Sequence, residues 1–153
     1  MLLTGLLPDI TSDPAIETAT DSLEVGRSGT IVAPVGIRPP LLAAVATRAA
    51  TPLVVLTATG RDAETLTNAL ASWIPGVAML PAWETLPHER LSPQVDTMAR
   101  RIAVLRRLVH PIKGDDSAGP ISVLVVPIRA FLQPIISGLA DLEPVRVRTG
   151  DIL

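Results

Sequence analysis

Short apolar runs alternate along this chain with longer stretches whose apolar positions recur at helical spacing. Residues 30–33 (T-I-V-A), 53–57 (L-V-V-L-T), 77–80 (V-A-M-L) and 122–126 (S-V-L-V-V) are β-branched or leucine-rich without strict apolar–polar alternation. Strands covered on both faces look like this. Between them, residues 41–48, 62–73 and 93–109 carry helical patterns, and a shorter one, 128–136, is interrupted by Pro134. Strand and helix in that order predict a parallel sheet with right-handed crossovers, in a three-layer α/β domain with helices on both faces. Ahead of it, Asp13 is placed to cap a short helix with Pro14 in its first turn, continuing to Leu23. Residues 1–29 are therefore expected to be a helical lead-in and 30–153 the α/β domain. Residues 113–120 form the clearest loop, and V-R-V-R at 145–148 predicts an edge or final strand.

Within the helix expected over 93–109, Met98, Ile102, Leu105 and Val109 follow spacings of four, three and four, which sets them on one stripe toward the sheet. Arg100 and Arg107 then face away. Arg101 and Arg106 flank the stripe, laying their methylene stems along its edges with their charges in water. Such a basic face is either simply solvated or a patch for phosphate or an acidic partner. Ser92 with Pro93 is the expected start of this helix, and Thr59 or Asp62 the expected cap of the one before it.

The 153 residues are nearly half apolar, enough for one domain with a substantial core. A formal charge of −2 argues against a dedicated nucleic-acid-binding module, which is usually strongly basic, so any DNA contact has to be local. With no cysteine there are no disulfides, thiol nucleophiles or thiolate metal sites, which suits a reducing cytoplasm. The longest uncharged run, 65–83, is broken by Pro75, Gly76 and Pro81 and is a poor membrane span. The opening residues lack a basic stretch and make a poor secretory signal. The 15 prolines, about twice the usual share, sit where elements start or stop.

Candidate chemistry is sparse. A phosphate loop needs several glycines to bring backbone N–H groups close, a lysine for the β/γ-phosphates and a Ser or Thr for the metal. In I-V-A-P-V-G-I-R-P-P-L-L, residues 31–42, only Gly36 remains at the turn, with Arg38 the one cation and Pro39 and Pro40 opening the helix. Nucleotide binding is not expected there. His88 and His110 lie far apart, and Glu84, Glu89 and Asp96 do not complete a metal set around them. The same acids lack a nucleophile to serve, so no catalytic residue is assigned. A small-molecule enzyme remains a competing class, for which Glu84 and His88 would have to share a pocket beyond the strand ends.

The segment W-E-T-L-P-H-E-R-L-S-P-Q-V-D-T, residues 83–97, is too particular in its order to follow from packing alone. Trp83, Leu86 and Leu91 can anchor a long connection, while Glu84, His88, Glu89 and Arg90 offer polar contacts; with Asp96, Arg100 and Arg107 they are the interaction candidates. This segment resembles the N-terminal, UvrB-like module of the bacterial transcription-repair coupling factors. L-V-V-L-T-A-T-G-R, V-L-V-V-P-I-R-A and L-E-P-V support the resemblance in order, over about residues 30–150.

The resemblance implies a P-loop-NTPase-like fold with a degenerate phosphate loop, Pro39 and Pro40 standing where the lysine and hydroxyl belong. It implies no cofactor in this chain, with ATP and Mg belonging to motor domains elsewhere in a longer protein, and truncation near Leu153 before an inserted UvrA-binding domain. Partners implied are the other domains of that protein, weak contact with UvrA, and RNA polymerase and double-stranded DNA through the absent domains. The aromatic-rich hairpin by which UvrB engages DNA has no tyrosines here. The expected function is a non-catalytic scaffold and regulatory module; the alternative is a DNA-binding module acting through the Arg100–Arg107 helix.

Overall fold

Five consecutive buried residues, Val123–Pro127, form the centre of the sheet, β3. The computed structural model describes residues 3–21, 28–85 and 92–143. Leu53–Thr57 (β1) and Val77–Met79 (β2) flank β3, giving the order β1-β3-β2 with both pairings parallel. Val55 and Met79 both lie opposite Val125. Placing β3 between two strands that precede it explains why its run is apolar at every position, whereas β1, at an edge, alternates half-buried with exposed residues.

Odd and even positions of β3 enter different cores, as side chains of a strand alternate between faces. Val123 and Val125 pack with Leu7 of helix α1 (Leu7–Thr11), Ala43 and Ala46 of α3 (Arg38–Arg48), and Ala63 and Leu70 of α4 (Gly60–Ala71). Leu124 and Val126 pack with Ala78 and Leu80, with Val104 of α5 (Val95–Val109), and with Ala130 of α6 (Ile128–Phe131). Helices therefore cover both faces, as expected. The lead-in is more than an appendage: α1 contributes Leu7 to the first core, and α2 (Pro14–Asp21) is tied to the end of α3, where Arg48 donates to Thr20 at 2.6 Å and pairs with Asp21 at 2.7 Å.

The expected caps of α2 and α4 form. Asp13 Oδ1 accepts from the amides of Ala15 and Ile16, and Thr59 Oγ1 accepts from the Asp62 amide at 3.1 Å. In the loop over 113–120, Asp115 Oδ1 accepts from Ser117 and Ala118.

Three expectations are corrected. Residues 30–33 are not a strand: no strand pairs with them among the described residues, and Val32 is 95% exposed, so apolar content there buys no burial. The helix expected over 128–136 stops at Phe131, because Pro134 has no N–H to donate and disfavours helical backbone at Gln133 before it. The face that α5 buries is not the expected stripe. Thr97, Arg101, Val104 and Leu105 are buried, whereas Met98 and Val109 are 38% and 57% exposed. The predicted strand at 145–148 lies outside the described residues.

Candidate interaction site

Beyond the carboxyl end of β2 the chain passes through Pro81, Ala82, Trp83 and Glu84, and α5 begins at Val95. The two ends of the unusual 83–97 segment are fastened to each other, and its first end also to Arg129 of α6 and to Gln133 just beyond it. The Trp83 amide donates to Gln133 Oε1 at 2.8 Å, and Gln133 Nε2 donates back to the Trp83 carbonyl at 3.3 Å. One side-chain amide thus satisfies both backbone groups of Trp83, as a neighbouring strand would. Arg129, one helical turn before Gln133, donates to the Glu84 carbonyl at 3.2 Å.

Glu84 caps α5 from outside the helix. Its carboxylate accepts from the Thr97 hydroxyl and, at 3.5 Å, from the Gln94 amide. Gln94 itself makes no side-chain cap, and the helix starts at Val95 rather than at the expected Pro93. A carboxylate at this end also meets the positive pole of the helix. The Thr97 hydrogen bond, with smaller contributions from backbone donors and the Arg129 charge, holds the Glu84 carboxyl below the usual glutamate range.

Arg101 is 1% exposed. Its Nη1 donates to the Pro81 carbonyl at 2.6 Å, and its guanidinium carbon lies 4.5 Å from the centre of the Trp83 ring. Among the described residues Nε has no hydrogen-bond partner, and burial lowers the pKa of the group by disfavouring its charge. A cation that faces an aromatic ring rather than a carboxylate is stabilised by the ring quadrupole. It draws α5 round so that Arg101, expected at the margin, lies at the bottom of the interface.

The remaining arginines of α5 are engaged inside the molecule. Arg100 pairs with Asp96 at 2.8 Å in an exposed i,i+4 bridge. Arg106 donates to the Leu142 carbonyl at 3.2 Å, and His110 Nε2 lies 2.7 Å from Asp141 Oδ1. Arg107, expected to face solvent, is half-buried and donates through Nε to the Gly119 carbonyl at 2.8 Å.

The structure thus gathers Trp83 and Glu84 with Thr97, Arg101, Arg129 and Gln133. Asp96 and Arg100 lie beside this group on the outer surface. Arg107 sits ten residues along α5 from Thr97, about 15 Å at helical rise, and belongs to the other end of the sheet. His88, Glu89 and Arg90 lie outside the described residues. Thr97 and Arg101 carry a signal in the sequence, since they share a helical face with Val104 and Leu105. Gln133 and Arg129 carry none.

At the start of α3, Gly36 and Arg38 are exposed, and Pro39 and Pro40 occupy the first turn. Two of the four backbone N–H groups that a helix start normally offers an anion are absent there. Among the described residues no three His, Asp or Glu cluster as metal ligands, and no helix is long and apolar enough to cross a membrane.

The chain is similar in sequence to known proteins. Over 125 residues, 80% of the chain, it is 46% identical to the transcription-repair-coupling factor of Mycobacterium bovis and, to the same extent, to that of Mycobacterium tuberculosis. Across that stretch the chain is homologous to transcription-repair-coupling factor. It spans about 10% of the length of these relatives. No family model matches it.

Proposed function

We propose that this chain is a non-catalytic, UvrB-like scaffold and regulatory module of a transcription-repair coupling factor, with an NTPase-like sheet whose phosphate loop is degenerate. In the longer protein, ATP-driven translocation on double-stranded DNA would displace stalled RNA polymerase and recruit nucleotide excision repair, using ATP and Mg in domains beyond this segment. The homology over 80% of the chain carries the reading. Two features of the fold support it. The α3 start, with its two prolines and a single exposed arginine, offers a triphosphate few donors. The exit of β2, at the end of the sheet where α/β folds usually place their chemistry, is instead tied down by Gln133, Arg129 and Glu84.

The role proposed is to present this connection to other domains or, weakly, to UvrA, and to restrain the resting motor. Calorimetric titration of the chain with Mg·ATP should give no saturable heat; micromolar uptake abolished in Arg38→Ala would refute the degenerate-loop reading. In a full-length coupling factor, deleting the equivalent segment should raise basal ATPase or DNA binding. Unchanged values for both would leave no regulatory role.

A further inference from the structure

At the amino ends of β1 and β3, on the opposite edge of the sheet from Trp83, lies an open cleft of about 380 Å3 between the last turns of α3 and α5. Ala46, Ala49, Pro52, Leu108, Pro111 and Pro120 supply apolar walls, and Arg107 is its cation. The Nε bond to the Gly119 carbonyl fixes the plane of this guanidinium. Its Nη1 and Nη2 have no partner among the described residues, so the end-on edge of the fork is free for an acceptor with two oxygens.

The rest of the cleft selects among anions. Ala49 and His110 are the C-caps of α3 and α5, so two helix carboxyl ends converge here with carbonyls that lack intrahelical donors. Their partial negative charge opposes a polyanion such as nucleic acid and a bare phosphate. A ligand carrying N–H donors beside one carboxylate suits both features. The volume lies at the low end of the range for ligand pockets, about 300–1,000 Å3. That accommodates one acidic side chain and its flanking peptide units better than a whole helix.

We propose that this cleft binds a short extended peptide segment, its Asp or Glu carboxylate on Nη1 and Nη2 of Arg107, its N–H groups on the α3 and α5 carbonyls, and an apolar neighbour against Ala46, Pro52 and Leu108. The site is separate from the Trp83–Glu84 anchor and does not depend on the function proposed above.

The test titrates the 15N-labelled chain with Ac-Leu-Glu-Leu-NH2 and with Ac-Leu-Gln-Leu-NH2. The acidic peptide should shift the amides of Ala49, Ala50, Thr51, His110 and Ser122 saturably. Binding should be about tenfold weaker for the Gln peptide, the usual scale for losing one charge-assisted fork. Arg107→Gln should weaken the acidic peptide to the same degree and abolish the preference between the two, with Arg107→Lys intermediate. Equal responses to both peptides, shifts located elsewhere, no shifts at all, or stronger binding of inorganic phosphate would each overturn the assignment. Because the two peptides are compared on the unaltered chain, the result stands even if a variant fails to fold.

Discussion

Arg101 decides how α5 lies. A buried guanidinium stripped of water is costly unless its donors are used, and among the described residues Pro81 and the Trp83 ring take that part. Replacing a buried charge by an apolar side chain of similar length is far milder than deleting it. Arg101→Met should therefore cost about 1–2 kcal/mol, chiefly the unsatisfied Pro81 carbonyl, and Arg101→Ala about 3–5 kcal/mol with its added cavity. Urea unfolding distinguishes them, and equal losses would show that neither the stem nor the cavity left by its removal contributes. At Glu84 the prediction concerns pH. Its folded pKa lies below the unfolded value of about 4.3, so its contribution is full above that value and is lost as pH falls through the folded pKa. The Tm difference between the unaltered chain and Glu84→Gln should be constant from pH 7 to 5 and shrink toward zero below pH 4. A difference that does not diminish at all on acidification below the unfolded value would mean that the charge is not what Thr97 and Gln94 recognise.

At the scale of elements, the helices and the three strands follow from local pattern, but their starts and stops depend on contacts from a distance. α4 is capped by its own Thr59, and this was legible because donor and acceptor lie three residues apart. α5 is capped by Glu84, ten residues before Gln94, and nothing in the spacing announces it. The entry to β2 rests on Gly76, which has φ +75° and whose carbonyl accepts from Ser122 and Val123. A Cβ there would stand 2.8 Å from Ser122 Oγ and 2.9 Å from the Pro120 carbonyl. Gly76→Ala should destabilise by about 2 kcal/mol or more, combining left-handed strain with these contacts. Gly36→Ala, with open space around it, should change Tm by less than about 2 °C if its effect stays within the range of ordinary surface substitutions; comparable losses at both sites would remove the distinction.

At the scale of the whole molecule, the described residues leave the second face of the sheet only partly covered. Val54 and Leu56 of β1 point to the side of Leu124 and Val126 yet are 51% and 48% exposed, and Phe131, Leu132 and Ile136 are also more than half exposed. Apolar surface gathered beyond a few hundred Å2 favours association. In sedimentation velocity the chain should self-associate with rising concentration, and Leu56→Ser with Phe131→Ser should keep it monomeric while shifting stability by under about 1 kcal/mol, the usual scale for exposed sites. Association unaffected by both substitutions would exclude this face as its cause.

Apolar periodicity by itself determined the parallel α/β order, the helices on both faces and, to within a residue at each end, the spans of β1, β2 and β3, because burial in a layered fold is written in local spacing. The residues of 83–97 likewise carried the resemblance to the coupling factors, one of which is 46% identical to the chain over 125 residues. Only the tertiary structure decided that residues 30–33 stay outside the sheet, that α5 turns Arg101 inward, and that Gln133 and Arg129 hold Trp83 and Glu84. Strand pairing and the pairing of buried polar groups require partners tens of residues away, and their energies depend on distances that no local pattern encodes.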